Sequence, residues 1–418
     1  MFDINLCHKS PELIIEKLKL RQENTEIIKT VIDLDNERRK GIEIIDQYRL
    51  QRNQLSRSLG KNKDNIDAVK VEVKKIKEQL ERKEKEQSDC EKKLNDLLMR
   101  IPNLPDDSVP FGKSEADNII VKKGESAKIT ESEHPHWELA KNSTFLDFER
   151  GVKLSGSRFY ILRGSFAKLQ RSLIDFLLDH LCESGFEELA LPYMVHQEAL
   201  LAAGQLPKFI QNLYRDHEED YWWVPTAEVP ITGMHAKEFF EENDLPKLYA
   251  AHTPCFRREK TSAGSDVRGI KRGHQFDKVE MFAYCLPQQS VEVFQKMQDC
   301  CIQALEKLGL PYQVKELCTG DLGFAASKTY DIEVWAASCK EWLEVSSISM
   351  CKDFQARRAK IKVKKDKEKY YCHTLNGSCF GIPRIMIALL ENNLKENSIH
   401  VPEVLQSRMG TTSIKLNF

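Results

Sequence analysis

The chain has 418 residues, with 63 Lys and Arg against 64 Asp and Glu, and is 30% charged and 41% hydrophobic. That length predicts two to three domains with at least one large core, and excludes a chain disordered throughout. No apolar run approaches the roughly 18 residues a membrane helix needs, and the opening Met-Phe-Asp-Ile-Asn lacks the basic start and apolar middle of a signal peptide. A cytoplasmic location with no membrane partner is expected. The 12 cysteines contain no Cys-x-x-Cys pair, so free thiols are expected and no zinc.

The first hundred residues have no proline between Glu12 and Arg100. Ile27, Val31, Leu34, Arg38, Gly41, Ile45, Tyr48, Arg52, Leu55 and Leu59 repeat at 4-3 spacing. Ile66, Val69, Val73, Ile76, Leu80, Lys83, Gln87, Cys90, Leu94, Leu97 and Ile101 repeat at 3-4 spacing. Both are coiled-coil seams. Gly60-Lys-Asn-Lys-Asp64 between them predicts a turn, hence an antiparallel hairpin of about 33 residues per arm, or about 50 Å. A turn centred near residue 62 sets Lys83 opposite Gly41 and Gln87 near Arg38. Between residues 49 and 77 lie Arg49, Arg52, Arg57, Lys61, Lys63, Lys70, Lys74, Lys75 and Lys77 against Asp64, Asp67 and Glu72, a positive excess of six. Taken alone, a charged face on a coiled coil is usually just solvated; a one-sign cluster at the end of a lever is also what binding a phosphate backbone requires.

Three prolines in Ile101-Pro-Asn-Leu-Pro-Asp-Asp-Ser-Val-Pro110 predict a linker over 102–115, between an N-terminal domain at 1–101 and a second domain at 116–418. In the second domain, Phe166, Leu169, Leu173, Phe176, Leu177 and Leu181 have helical spacing, with Gly185 as the stop and a strand from Glu187 to Leu191. Alternating segments at 274–284, 330–335 and 342–347 are joined by turns rather than crossover helices. The expected class is therefore α+β, with a largely antiparallel sheet.

Four segments carry the candidate chemistry. Arg257 and Glu259 share one strand face, and Phe276, Lys278 and Glu280 share a face of the partner strand. The 13-residue loop 261–273 between them is long for a hairpin and carries Arg268, Lys271 and Arg272, as a binding loop would. Pro383 suits the first turn of a buried helix that places Arg384 at its start, where a structural carboxylate or a ligand phosphate would partner it. Pro225-Thr-Ala-Glu-Val-Pro230 and Trp342-Leu-Glu-Val-Ser-Ser347 each place a carboxylate near a hydroxyl. Glu344 with Ser347 offers hard oxygen ligands suited to Mg²⁺. Neither a Walker A loop nor a Gly-x-Gly-x-x-Gly turn is present.

Taken together, these segments resemble class II aminoacyl-tRNA synthetases, and within them the bacterial-type seryl-tRNA synthetases, over essentially the whole chain. Gly185 to Val195 is similar to the family's first motif, at its dimer interface. Phe256-Arg-Arg-Glu259 through His274-Gln-Phe-Asp-Lys-Val-Glu280 is similar to the second, and Asn376-Gly-Ser through Arg384 to Glu391 to the third. Gly204-Gln-Leu-Pro-Lys-Phe209, Cys318-Thr-Gly-Asp-Leu-Gly-Phe324 and Asp353-Phe-Gln-Ala-Arg-Arg358 resemble the seryl enzymes in particular.

The resemblance implies a homodimer that activates serine with ATP and charges the 3' end of serine tRNA, with selenocysteine tRNA left open as a second acceptor. It implies an ATP site of Arg257, Arg258, Glu259, Phe276, Glu344, Val345, Ser346, Ser347 and Arg384, with Arg257 and Arg384 catalytic and Mg²⁺ on Glu344 and Ser347. It implies a serine site of Thr226, Ala227, Glu228, Arg257, Glu280, Asn376 and Ser378, and a tRNA-binding role for the nine basic residues of the arm. Cys379 and Pro383 stand where the family usually has glycine, and Met350 where it usually has asparagine. An inactive or repurposed RNA-binding relative is the alternative reading.

Overall fold

In a computed structural model the described residues are all but Met1, 60–65, 126–127, 143, 261–267, 417 and 418. They form two compact units, Met1–Pro102 and Asn103–Phe418. No helix among them is long and apolar enough to cross a membrane.

The first unit is dominated by two helices, α1 (Glu26–Leu59) and α2 (Ile66–Arg100), packed along their length. Val31, Ile45, Ile76, Leu80, Cys90 and Leu94 are buried, as their spacing requires. At the ends of the arm the seam drifts. Ile28 and Leu98 are buried where Ile27 and Leu97 are expected, because a straight helix of 3.6 residues per turn slips against a 3.5-residue repeat. Across the arm Cys90 Sγ reaches Leu34 O at 3.5 Å, on the predicted register, whereas longer side chains reach past it. Gln87 lies against Gly41, and Arg49 reaches Glu84 at 2.8 Å, while Arg38 is held within its own helix by Asp35 at 2.7 Å.

In the second unit an eight-stranded sheet comprises β1 (Ile119–Lys123), β2 (Glu187–Glu188), β3 (Lys247–Phe256), β4 (Gln275–Cys285), β5 (Tyr312–Glu316), β6 (Lys328–Ala336), β7 (Glu341–Lys352) and β8 (His373–Gly381). Their order is β1-β5-β6-β7-β8-β4-β3-β2, and every pair is antiparallel except β2 with β3. The expected α+β class with an antiparallel sheet is therefore found. Helices α3 (Gly164–Glu183), α4 (Ser290–Leu308) and α5 (Ile382–Asn392) pack into one core with the sheet. Strand alternation sets the division of labour: Val279, Met281, Ala283 and Cys285 of β4 enter that core, whereas Phe282 and Tyr284 enter a second cluster with Ala227 and Ile231. Phe276, Lys278 and Glu280 share the parity of this second face and line a cavity there.

The proline-rich segment after α2 is a packed strap of the second unit rather than a free linker. Asn103 N–H donates to Phe324 O at 2.9 Å, Asp106 N–H to Ser327 O at 2.9 Å, and Thr319 N–H to Pro110 O at 2.9 Å. Prolines suit such a strap because they fix an extended path while surrendering no donor that this path requires.

Gly41 lies in mid-helix, where glycine costs roughly 1 kcal/mol against alanine. A methyl there would meet only the amide end of Gln87, which can turn aside. Gly41→Ala should therefore stabilise the arm by about 0.5–1 kcal/mol, read as a higher urea midpoint of its helical signal; a lower midpoint would mean the Gln87 contact outweighs backbone entropy.

Candidate active site

A cavity of about 350 Å³ opens on the sheet face opposite the helix-packed core, with Pro383 and Arg384 from the start of α5 in its wall. Its floor is strands β4, β7 and β8, and its rim holds the segment at 225–228 and the return of the loop after β3. Thr226, Glu228, Arg257, Glu259, Phe276, Glu280, Glu344, Val345, Ser347, Asn376, Ser378 and Arg384 all line it, so twelve of the residues named from sequence converge on one space.

At its deep end lies a buried polar network. Lys278 Nζ donates to Thr226 Oγ1 at 2.8 Å and forms a close ion pair with Glu280. Thr226 Oγ1 donates in turn to Glu280 Oε2 at 3.0 Å and accepts from Glu228 N–H at 3.2 Å. Glu228 Oε1 accepts from Gln355 Nε2 at 2.6 Å and from Asn376 Nδ2 at 3.0 Å, and Gln355 Oε1 accepts from Thr374 Oγ1 at 2.6 Å. Burial and the Glu280 carboxylate push Glu228 up from 4.5 to about 7, against the pull of Lys278. The result is a set of carboxylates and a hydroxyl, pre-oriented in low dielectric, that suits a small zwitterion with a hydroxyl of its own.

Toward the mouth the chemistry turns to anion and ring recognition. The Arg257 guanidinium lies 5.2 Å from the Phe276 ring centroid, and its Nε donates to Pro225 O at 3.2 Å, which fixes its direction. Arg384, in the first turn of α5 beside Pro383, donates to Glu344 O at 2.5 Å and lies 3.5 Å from Glu344 Oε2. It is partly exposed at the cavity rather than buried with its helix. Glu344 and Ser347 are three apart on β7, which in a regular strand would place them on opposite faces. A bulge at Val345, where Ser346 pairs with Ile332 and Glu344 with Glu333, brings both to the cavity.

Three named residues do not face this space. Arg258 donates to Leu213 O at 2.9 Å and stacks over Tyr214 at 4.8 Å. Ala227 is core, and Ser346 is buried with its hydroxyl 3.7 Å from Cys301 Sγ on the helix side of the sheet. Cys379 is also core, since it alternates with the cavity-lining Ser378, so its side chain leaves the pocket free. Met350 is likewise core. Residues absent from the predicted site but present in the cavity wall are Gln205, Lys271, Arg272 and Lys278, with Gly273, Gly381 and Pro383 contributing backbone or ring surface. Each of the first four carried a signal in the sequence: Lys278 by sharing strand parity with Phe276 and Glu280, Lys271 and Arg272 by lying in the long basic loop, and Gln205 by the resemblance of its stretch to the seryl enzymes.

On the arm, Arg57, Lys74 and Lys75 are exposed and Arg52 is half-buried. Arg49 pairs with Glu84, Lys70 lies 3.5 Å from Asp67, and Lys77 lies 3.9 Å from Glu81. Lys61 and Lys63 lie outside the described residues. The 12 cysteines are free thiols. Among the described residues one group of metal-ligand type occurs, His136, Cys339 and Glu391, with ligand atoms within 4.8 Å of one another.

An antiparallel sheet with an arginine-bearing strand-loop-strand and an arginine at the start of a buried helix defines the core of a class II aminoacyl-tRNA synthetase. The family model for that core (G, H, P, S and T) matches residues 209–393, and the model for the seryl-tRNA synthetase N-terminal domain matches residues 1–105. The chain is 44% identical over 421 residues to a serine-tRNA ligase of Dehalococcoides mccartyi, covering 99% of this chain and 100% of that one. It superposes on the Pyrococcus horikoshii seryl-tRNA synthetase complexed with ATP with a TM-score of 0.92 at 34% identity, covering 100% of both chains. It superposes on the Naegleria fowleri cytoplasmic enzyme in complex with AMP with a TM-score of 0.88 at 29% identity, covering 100% of this chain and 99% of that one. The chain belongs to the seryl-tRNA synthetase family.

The raised Glu228 sets a pH signature. Unfolded, it ionises near 4.5; folded and ligand-free, near 7. Between these values the native state holds the proton more tightly, so this group's contribution to stability declines as pH rises through that window, by on the order of 3 kcal/mol. Gln keeps the oxygen that accepts from Gln355 and Asn376. Glu228→Gln should therefore gain stability relative to the parent between pH 5 and pH 8, measured by urea unfolding at both. A difference that does not change with pH would contradict the assignment.

Proposed function

We propose that the chain is a serine-tRNA ligase: it activates L-serine with ATP to seryl-adenylate and transfers serine to the 3' end of serine tRNA. The observation that carries this reading is the continuity of one cavity from the Thr226–Lys278–Glu280 network to Arg257, Phe276 and Arg384. In the first step a serine carboxylate oxygen attacks the α-phosphorus, the bond to the bridging oxygen breaks, and pyrophosphate leaves. The nucleophile is already an anion, so no general base is needed, and catalysis rests on alignment and on countering charge on phosphate. Arg257 serves the α-phosphate and the serine carboxylate, Arg384 the γ-phosphate, and Glu259 with Phe276 the adenine. Glu280, Thr226 and Glu228 take the ammonium and hydroxyl, with Asn376 and Ser378 on the same wall. Lys278 orients Thr226 and Glu280. In the second step a hydroxyl of the terminal ribose attacks the seryl carbonyl and AMP leaves.

Mg²⁺ fits the oxygen donors Glu344 and Ser347. Behind them the buried Asp331 Oδ1 has no hydrogen-bond partner among the described residues. Burial and Glu344 hold its carboxyl well above the usual range, a strain that a nearby cation would relieve. Bound there with ATP, Mg²⁺ would supply charge neutralisation on the polyphosphate.

The arm's exposed basic residues supply a surface for the tRNA backbone, in keeping with the match of the N-terminal domain model. A homodimer through the segment 185–195 is supported by β2 at the edge of the sheet and by the exposed Tyr193 and Met194. A cytoplasmic location is part of the same proposal. The inactive reading draws no support: Cys379 points away from the pocket, and Pro383, which lines it, sits in the first turn of α5, where its missing N–H costs no helix bond.

Two variants separate the parts. Arg257→Ala should lower serine-dependent ATP–pyrophosphate exchange by at least about a hundredfold. Deletion of residues 30–98 should spare that exchange and abolish tRNA charging. Exchange absent from the parent protein, or lost equally with charging on deletion, would overturn the reading.

A further inference from the structure

The return of the loop after β3, residues 268–273, carries Lys271, Arg272 and Gly273 into the cavity wall. Lys271 Nζ is 2.8 Å from Glu341 Oε2, and Arg272 is 3.6 Å from Glu259 Oε2. What fixes the backbone of this stretch lies outside the cavity. Ile270 N–H donates to the ring nitrogen Nε2 of His136 at 3.2 Å. A backbone N–H can only donate, so Nε2 is the unprotonated nitrogen and Nδ1 carries the proton. Nδ1–H in turn donates to Glu391 Oε1 at 2.9 Å.

Glu391 is buried near the end of α5, the helix that begins beside Arg384. Its Oε1 also accepts from His136 N–H at 3.1 Å and from Cys339 Sγ at 3.2 Å, and its Oε2 accepts from Ser338 N–H at 3.0 Å and Cys339 N–H at 3.1 Å. One carboxylate thus ties the β6–β7 turn, the start of the short helix His136–Asn142 and, through the imidazole, the cavity loop. The fit around the ring is close. Gly269 sits at φ +68, and a Cβ there would overlap His136 Nε2.

We propose that His136 and Glu391 are positioning residues for ATP: the carboxylate fixes the imidazole tautomer, and the imidazole latches Ile270 so that Lys271 and Arg272 face the nucleotide. This rests on the proposed serine-tRNA ligase activity. The pairing has the logic of a carboxylate orienting a histidine, used here to place a loop rather than a metal or a nucleophile. The latch is buried, so loss of the acceptor removes the bond that holds the Ile270 N–H, which frees the loop.

The test compares His136→Asn with His136→Gln in the full-length protein. Asn keeps a donor near Nδ1 for Glu391 but has nothing at Nε2; Gln can place its amide oxygen where Nε2 accepts from Ile270. His136→Asn should speed amide hydrogen exchange in segment 268–274 about tenfold. It should raise KM for ATP in pyrophosphate exchange about tenfold, while KM for serine stays within about twofold. His136→Gln should recover part of both. Unchanged exchange in segment 268–274 for His136→Asn would overturn the proposal. So would equal increases in both KM values with a lowered melting temperature, or a Gln variant no better than Asn. Hydrogen exchange needs no turnover, so the latch is decided even if the parent protein shows no serine-dependent activity, a result that would sink only the functional reading.

Discussion

The structure of the site depends on the burial of Lys278 and Glu280 as a pair. Each is almost wholly removed from water, and neither would be tolerated there alone, because an uncompensated charge in low dielectric costs several kcal/mol. Such a pair is a poor source of net stability, since desolvation consumes most of its Coulomb energy. What it does provide is direction. Thr226 is held between the two charges, accepting from one and donating to the other, so its hydroxyl has one orientation before any ligand arrives. Glu228 is buried beside this pair, and its burial, together with the Glu280 carboxylate, raises it to about 7 against the pull of Lys278.

The sheet makes this arrangement possible by separating two incompatible environments across one strand. Successive residues of β4 alternate between the helix-covered core and the cavity, so Val279 and Met281 secure the strand whose other face carries Lys278 and Glu280. On β7 simple alternation would fail, and the bulge at Val345 corrects it, bringing Glu344 and Ser347 to one side. The helix α5 then spans the layer: Arg384 faces the cavity at its start, and Glu391 gathers the β6–β7 turn and His136 at its other end. The near-neutral net charge is a cancellation, because the basic excess of segment 49–77 is offset by an acidic excess over the rest of the chain.

Much of this was legible in the sequence because its signals are local or periodic. The two seams, the helix ended by Gly185 and the alternating strands each follow from spacing, and the resemblance joined Arg257, Glu280 and Arg384 before any geometry was available. What spacing does not carry is side-chain contact and face. On the arm, Asp35 holds Arg38 within its own helix and the Gln87 side chain lies against Gly41, contacts that a seam count does not weigh. Ser346 and Ala227 sit beside cavity-lining neighbours, but a strand and a buried turn send adjacent side chains to opposite sides. Arg258 is drawn off by Leu213 and Tyr214. Lys278 was visible only as a strand position, because its role depends on Thr226, 52 residues away. The prolines after α2 signalled a break in helix, but whether the extended chain hangs free or packs depends on distant carbonyls at Phe324 and Ser327.

The central claim is that the oriented Thr226–Lys278–Glu280 network selects a hydroxyl-bearing amino acid. The most direct measurement is the ratio of kcat/KM for serine to that for alanine in pyrophosphate exchange, in the parent protein and in Lys278→Met. A site built to hydrogen-bond a hydroxyl rejects the analogue lacking it by about 10⁴ or more. The account predicts a ratio of that order in the parent, falling at least about tenfold when Lys278 no longer orients its neighbours. A ratio left unchanged by Lys278→Met, whatever the loss in absolute rate, would contradict it.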